Sequence, residues 1–209
     1  MESIAGHRAG RGGPPCWVLR ARFVEPPARS CDHLTLIILG VSRTRIVLVG
    51  DTHAFGWNEL HPRVRSAVAE ADIAVHAGDI VRMAVVRGMR AAAKRLFVVH
   101  GNSDPPELRA KFPDRVKFEV DGVRVGVTHP AWGGPEFPPE VLLADFPEGV
   151  DVIMYGHLHT PVNESQGDVL FLNGGQPYSQ FLVPVTIAWL TIENGQASGE
   201  IELIEPART

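Results

Sequence analysis

The first half of the chain alternates short apolar runs with segments that have an apolar stripe at helical spacing. Three runs have the length and β-branched composition of buried strands, and they are residues 45–50, 72–77 and 96–100. Two segments between them repeat apolar residues three or four positions apart, as amphipathic helices do, and they are residues 60–71 and 83–94. This β-α-β-α-β order predicts parallel strands covered by helices.

The second half has a pattern of strands and tight turns. Asp121-Gly122 and Asn194-Gly195 are dipeptides that favour two-residue hairpin turns. Strands are predicted on both sides of these turns and between them, over residues 116–120, 123–128, 150–155, 169–172, 185–192 and 199–204. Residues 138–146 are predicted as a short helix. The pattern therefore predicts an α/β protein that starts with parallel strands and ends rich in antiparallel ones.

Residues 1–43 differ from the rest. They mix Arg, Gly and Pro without helical or strand periodicity, which predicts a poorly ordered N-terminal extension before a folded domain at 44–209. The longest apolar run, residues 34–41, is far shorter than the ~20 residues that span a bilayer, so we expect no membrane association. Cys16 and Cys31 do not make a disulfide framework, and no signal peptide is evident. We expect a cytoplasmic protein.

The charge of the chain restricts its partners. A formal net charge of -4 gives no support for non-specific binding to a long nucleic acid. A small phosphorylated substrate remains compatible, because bound cations would make a site locally positive. The pattern leaves the oligomeric state open, and a homo-oligomer is compatible with it.

Seven polar side chains follow the predicted strands, at the turns where ligands bind in open α/β sheets. Each is of a type that coordinates divalent metals, and they are Asp51, His53, Asp79, Asn102, His129, His157 and His159. A lone Gly-Asp or His-x-His has little meaning, but this set in this order predicts a site for two divalent ions. Asp79 is the natural bridge, because a carboxylate can offer one oxygen to each ion.

The pattern Asp-x-His, Gly-Asp, Gly-Asn, His and Gly-His-x-His resembles that of the calcineurin-like metallophosphoesterase superfamily. The Gly-Asn-Ser-Asp at 101–104 and the Asn-Gly-Gly at 173–175 most resemble its small, single-domain bacterial and archaeal phosphodiesterase branch. The resemblance covers residues 44–205 or so. It implies a four-layer α/β/β/α sandwich, with two mixed β-sheets flanked by helices and the site at the rim.

The resemblance also implies two donor sets. The first donor set is Asp51, His53, Asp79 and His159, and the second is Asp79, Asn102, His129 and His157. Mn²⁺ is the first expectation for both ions, and Fe, Zn²⁺ or Ni²⁺ would accept the same donors. A hydroxide bridging the ions would attack phosphorus in line, with Asp51, His53, Asp79, Asn102 and His129 acting in catalysis. The expected substrate is a small phosphodiester or a cyclic nucleotide-like molecule.

Three positions depart from the family pattern. Ser103 stands where many larger relatives have a His that helps to protonate the leaving group, and Ala131 stands where the small branch often has a second His. The usual Asn-Pro-Gly-Ser is here Asn-Gly-Gly-Gln at 173–176. Because general acid help is typically worth about 10²–10⁴-fold, we expect activated leaving groups to be turned over best.

Several other residues near the predicted site have ordinary interpretations. His61 is expected to open a helix, His76 to lie in the core and Asp104 to brace a turn. His100 could touch a carboxylate or the substrate. Loop aromatics near the ligands could stack on a base or an aryl group, and they are Phe55, Trp57, Trp132 and Phe137.

Two other functions stay open. One is a non-catalytic protein-interaction scaffold of the same fold, as in a eukaryotic retromer subunit that resembles this branch. That subunit has lost part of its ligand set, whereas every ligand position is filled here. The other is a phosphomonoesterase acting on phosphoproteins, which Ser103 and the absence of a cap region disfavour.

Overall fold

The computed structural model describes residues 36–38, 43–130, 137–180 and 182–208. The predicted extension at 1–43 lies outside this part of the chain, except for Leu36–Ile38, which form a strand, and Arg43, which begins the next one. Trp132 also lies outside it. For the remaining residues of the extension, poor order stays a prediction.

The described residues form eleven strands and three α-helices. The strands are β1 Leu36–Ile38, β2 Arg43–Val49, β3 Ile73–Ala77, β4 Leu96–Val99, β5 Arg115–Val120, β6 Val123–Thr128, β7 Val152–Tyr155, β8 Pro161–Gln166, β9 Val169–Gly174, β10 Val185–Glu193 and β11 Gln196–Glu205. The helices are α1 Pro62–Glu70, α2 Met83–Ala92 and α3 Pro106–Arg109. Two 3-10 segments, Trp57–Glu59 and Pro139–Asp145, complete the elements. Within these residues no helix is long and apolar enough to cross a membrane.

The first sheet contains the predicted β-α-β-α-β unit. Its order is β11-β10-β2-β3-β4, and β2, β3 and β4 are parallel, as the sequence predicts. β10 and β11 add an antiparallel edge to it. In β2, Ile46 and Leu48 face the second sheet, whereas Val47 and Val49 face α1 and α2. A strand that is buried on both faces reads as a continuous apolar run, which explains the pattern of residues 45–50.

The second sheet has the order β1-β5-β6-β7-β9-β8. β5 pairs with β6 and β8 with β9 in antiparallel fashion, but β6, β7 and β9 are parallel to one another. The predicted richness in antiparallel strands holds for the pairs β5–β6, β8–β9 and β10–β11, whereas the parallel pairing of β6, β7 and β9 was not predicted. Hydrophobic runs reveal that strands exist, but not the direction in which a long connection returns the chain.

Side chains from both sheets make the central core. Leu48 and Val75 of the first sheet belong to the same apolar cluster as Phe118, Val127 and Met154 of the second. Each such buried side chain contributes roughly 1.5–3 kcal/mol relative to an exposed one. On the outer faces, α1 and α2 cover the first sheet, and the 3-10 segment Pro139–Asp145 covers the second through Leu142. This is the four-layer α/β/β/α sandwich that the family resemblance implies.

Two elements differ from the sequence predictions for local reasons. Residues 138–146 form a 3-10 segment rather than an α-helix. β8 was not predicted at all, because Pro161–Gln166 (PVNESQ) is an edge strand with three exposed residues and has no apolar alternation. As predicted, His61 opens α1, where its Nδ1 accepts a hydrogen bond from the backbone N–H of Arg63 at 3.1 Å.

Candidate metal centre

All seven predicted ligands lie at the same edge of the sandwich. They follow the carboxyl ends of β2, β3, β4, β6 and β7, so strands from both sheets bring them together. Five of them line a cleft of about 470 Å³, and these are His53, Asp79, Asn102, His157 and His159. Asp51 and His129 are buried beside them. The crevice predicted from strand ends is therefore present.

The first donor set forms a tight cluster. One ligand atom from each of Asp51, His53, Asp79 and His159 lies within 4.8 Å of all the others. His159 Nε2 is 3.4 Å from His53 Nε2 and 3.6 Å from Asp51 Oδ1. His53 Nε2 is 3.5 Å from Asp79 Oδ2. These separations leave the four donors facing one common point.

The second donor set is centred on the side-chain oxygen of Asn102. Asn102 Oδ1 lies 2.8 Å from His157 Nδ1 and 3.0 Å from His129 Nε2. His129 Nε2 is also 3.6 Å from Asp79 Oδ1. The two oxygens of Asp79 therefore face different sets, Oδ1 towards His129 and Oδ2 towards His53.

The donor chemistry on the second side fits a cation. His129 Nδ1 lies 2.7 Å from the carbonyl oxygen of Ala77, which can only accept, so Nδ1 carries the proton and Nε2 has a lone pair. That lone pair faces Asn102 Oδ1, which is itself an acceptor. Two acceptors at 3.0 Å repel each other unless a positive charge lies between them or nearby. A divalent ion with nitrogen and oxygen ligands supplies such a charge.

The backbone at the candidate ligands is strained. Nine non-glycine residues have positive φ among those that the structure describes, and five of them are candidate ligands: Asp51, His53, Asp79, His157 and His159. Each such conformation costs energy and persists only where the surroundings enforce it. The concentration of these residues at one edge supports a functional site there.

Two glycines allow the turns to approach one another closely. A Cβ on Gly101 would lie 2.2 Å from Asp79 Oδ1, and a Cβ on Gly156 would lie 2.4 Å from the carbonyl oxygen of Ala77. Any larger residue would push the turns apart. Gly50 lacks this constraint, because a Cβ there would meet its nearest neighbour, Ala77 Cβ, at an ordinary 3.5 Å.

Asp104 ties two of the turns together, as the sequence predicts. Its Oδ1 accepts hydrogen bonds from the backbone N–H groups of Ile80 and Val81, and its Oδ2 accepts one from Gly101, all at 2.7 Å. The side chain is buried. The turn that bears Asp79 is thereby fixed to the turn that bears Asn102.

Ser103 holds the carboxylate between the two sets. Its backbone N–H donates to Asp79 Oδ1 and its hydroxyl donates to Asp79 Oδ2, both at 2.8 Å. Burial acts to raise the pKa of Asp79, but His129, these hydrogen bonds and His53 outweigh it, so the pKa lies below its usual value. Asp79 is therefore ionised, which is the state that a carboxylate needs in order to bind a cation.

Burial controls the charges of the neighbouring groups. It lowers the pKa of His53 and of His129, which favours neutral imidazoles with a free lone pair. It raises the pKa of Asp51 well above its usual range, although the backbone N–H of His157 opposes that effect. A buried carboxylate with a raised pKa gains from a cation at its side.

Two residues near the site, Tyr178 and Arg109, escaped the sequence analysis, and a third, Gln176, entered it only as a departure from the family pattern. Gln176 and Tyr178 line the cleft, and Gln176 Oε1 lies 2.8 Å from His159 Nδ1. The guanidinium of Arg109 donates to the backbone carbonyls of Asn102 and Asp104. No periodicity or spacing marks such loop residues in advance.

Other sequence expectations had mixed outcomes. His76 is fully buried, as predicted, and its Nε2 lies 3.1 Å from Thr52 Oγ1. Phe55 is 64% exposed beneath the guanidinium of Arg82, so it is available at the surface. Phe137 packs against the cluster around Leu142 and has a structural role there.

Comparison with known proteins agrees with the fold and the motifs. Residues 44–195 match the calcineurin-like phosphoesterase superfamily domain. A probable metallophosphoesterase of Methanocaldococcus jannaschii is 31% identical over 150 residues, which are 69% of this chain and 73% of that protein. A phosphodiesterase of the same organism is 25% identical over 149 residues, 63% of this chain and 83% of its own length.

Solved structures show the same architecture. Vacuolar protein sorting 29 from Cryptosporidium parvum superposes with a TM-score of 0.64 at 19% identity, covering 79% of this chain and 100% of that one. The chain belongs to the calcineurin-like phosphoesterase superfamily, whose members bind divalent metals. The family resemblance noted in the motifs is thereby confirmed.

Proposed function

We propose that this protein is a metal-dependent phosphodiesterase with two divalent ions, one held by each donor set. Manganese is the first candidate metal. The strongest support is the orientation of the Asp79 carboxylate. One of its oxygens lies 3.5 Å from His53 Nε2, and the other lies 3.6 Å from His129 Nε2. Two divalent ions held there would supply a water molecule of lowered pKa and positive charge beside the phosphoryl oxygens.

The chain itself positions these groups before a substrate arrives. Ser103 orients Asp79, the carbonyl of Ala77 orients His129, and Asp104 fixes the two turns. A cleft of about 470 Å³ is of a size that admits a small diester. Its lining includes Tyr178, whose ring could stack on an aryl or nucleobase substituent.

The test is an activity screen of metal-stripped protein with each ion in turn. Mono-, di- and cyclic phosphate esters are compared, and the metal content of the reconstituted protein is measured in parallel. Asp79→Ala and His157→Ala should abolish hydrolysis of an aryl phosphodiester while thermal unfolding shows that the variants remain folded. His61→Ala is the matched control, because His61 caps α1 away from the cleft. Full activity in either site variant would refute the proposal.

The alternative function, a non-catalytic protein-interaction scaffold, is supported by the similarity of fold alone. Vacuolar protein sorting 29 shares the architecture at 19% identity, a level that carries no functional argument. All donor positions are filled in this chain, and the acceptors face one another as cation ligands do. Both features support the enzyme. A phosphomonoesterase remains the other outcome of the substrate screen.

A further inference from the structure

Gln176 lies where the family pattern has the serine of Asn-Pro-Gly-Ser. It follows β9 and is fully buried, although it is a polar residue at the edge of a cleft. Its backbone carbonyl accepts a hydrogen bond from the N–H of Thr186 at 3.0 Å, which anchors the residue to the start of β10. A buried amide in a fixed place needs partners for both of its ends.

The first partner determines which way the amide faces. Gln176 Nε2 donates to the backbone carbonyl of Tyr178 at 3.0 Å. A carbonyl oxygen can only accept, so the nitrogen end of the amide must face it. The oxygen end, Oε1, therefore faces His159 Nδ1 at 2.8 Å.

The second partner determines the tautomer of His159. Because Oε1 can only accept, His159 Nδ1 must carry the proton, and Nε2 of the neutral ring keeps a lone pair. Nε2 points at the other members of the first donor set, 3.6 Å from Asp51 Oδ1 and 3.4 Å from His53 Nε2. The bond to Gln176 thus aims the free nitrogen at the place where an ion would sit.

We propose that Gln176 is a positioning residue for His159. It fixes the tautomer and the ring orientation in which His159 can bind the ion of the first donor set. The metal part of this inference rests on the proposed function, whereas the tautomer part does not. Partners of this kind typically contribute 10–100-fold to metal affinity.

Tyr178 is the other group near His159 Nδ1, and its position makes it a weaker partner. Its hydroxyl lies 3.4 Å from Nδ1, which is longer than an ordinary O–H···N contact, whereas Gln176 Oε1 lies at 2.8 Å. Tyr178→Phe therefore provides a control that removes only the more distant contact.

Three substitutions separate the acceptor from the volume of Gln176. Gln176→Met keeps the length of the side chain but removes the acceptor. Gln176→Glu keeps an acceptor for His159 and replaces the donor to the Tyr178 carbonyl with a second acceptor oxygen. Gln176→Asn keeps the amide but withdraws it by one methylene, so it removes the contact with His159 without making the position apolar.

The first measurement uses metal-free protein and long-range ¹H–¹⁵N NMR of the histidine rings, which reports the tautomer directly. Wild type, Tyr178→Phe and Gln176→Glu should show His159 with its proton on Nδ1. Gln176→Met and Gln176→Asn should lose that preference. An unchanged Nδ1–H tautomer in Gln176→Met would overturn the inference, whether or not the protein binds metal.

The second measurement is titration of metal-free protein with Mn²⁺ or Zn²⁺ by calorimetry. Gln176→Met should weaken one of the two binding events by about 10–100-fold, and Gln176→Glu should keep wild-type affinity or exceed it. Equal losses in both variants would indicate a merely structural role and overturn the inference. If wild type binds no metal, the proposed function fails, while the tautomer measurement still decides the role of Gln176.

Discussion

His129 and His159 present the same nitrogen to the candidate site but are held in different ways. His129 donates to a main-chain carbonyl, that of Ala77, and its side chain is fully buried. His159 donates to the side chain of Gln176 and is 30% exposed. The second donor set is therefore fixed by the fold itself, whereas the first depends on one replaceable side chain.

The difference shows where this site can vary. A strand carbonyl cannot be removed by any substitution, so the orientation of His129 persists as long as β3 and β6 pair within their sheets. A side-chain acceptor can be exchanged, and the Asn-Gly-Gly-Gln at 173–176 is such an exchange relative to the family pattern. We expect the first donor set to be the side where affinity for metal is adjusted.

The largest expected effect concerns Ser103 and Asp79, the carboxylate that faces both donor sets. The Ser103 hydroxyl donates to Asp79, so it has no proton directed at a leaving group. Rates should therefore fall steeply across aryl phosphodiesters of rising leaving-group pKa, by roughly the 10²–10⁴-fold that a general acid would supply. The measurement is kcat/KM over a series of substituted phenyl diesters. Equal rates across the series would contradict this prediction, because they would show that some group in the cleft donates a proton to the leaving group.

A second prediction separates the two sets by stability. His129→Ala and His159→Ala should each remove one of two bound ions and lower kcat/KM by more than about 100-fold. Only His129→Ala should also lower the free energy of unfolding of the metal-free protein, by about 2 kcal/mol, because it leaves a cavity and removes the hydrogen bond to the Ala77 carbonyl. His159→Ala should cost less than about 1 kcal/mol.

Metal analysis and urea unfolding of metal-free samples check this pair. Equal losses of stability in the two variants would contradict the contrast between a main-chain and a side-chain support. Loss of both ions in either variant would show that the sets are not separate.

Much of the fold follows from the sequence because the parallel strands of the first sheet are largely buried or, in β4, partly buried. Residues 45–50, 72–77 and 96–100 are apolar throughout or nearly so, and the helices between them have clear stripes. Strand direction in the second sheet and the polar strand β8 could not be predicted. The first depends on long connections, and the second lies at an edge where water satisfies the side chains.

The candidate ligands were accessible to sequence reasoning because each follows a strand and belongs to a recurring motif. The residues that position these ligands were not accessible in the same way, apart from Asp104. Gln176 acts on His159 through a single hydrogen bond, and no sequence motif links the two residues. Asp104 was recognisable only because it lies two residues after Asn102. Positive φ at five ligands is a tertiary property that no propensity reveals.

A third prediction tests the connection between the sets. Asp104 accepts three backbone N–H groups and is buried, so Asp104→Ala leaves buried donors without partners. The free energy of unfolding should fall by roughly 3 kcal/mol or more. Asp114→Ala is the matched control, since Asp114 is 64% exposed and its loss should change stability by no more than about 0.5 kcal/mol. Similar urea midpoints for both variants would contradict a bracing role.

The smallest effect concerns His76, which contacts the turn that bears two members of the first donor set. Its Nε2 lies 3.1 Å from the hydroxyl of Thr52, the residue between Asp51 and His53. Burial lowers the pKa of His76 from 6.5 to about 3. Between pH 6.5 and about 3, His76 is therefore protonated in the unfolded chain but neutral in the folded protein. Stability present above pH 6.5 is lost as the pH falls towards 3, by about 1.4 kcal/mol per unit.

His76→Gln isolates this contribution, because glutamine keeps an N–H donor near the position of Nε2 but does not titrate. Between pH 6.5 and 4.5, metal-free wild type should lose about 2–3 kcal/mol more than the variant in urea unfolding. All other residues are the same in both proteins, so the difference between the two curves reports His76 alone. Parallel curves would mean that His76 is protonated in the folded state. The first donor set would then rest on a charged imidazole, and its contrast with the neutral, main-chain support of His129 would be greater than the geometry indicates.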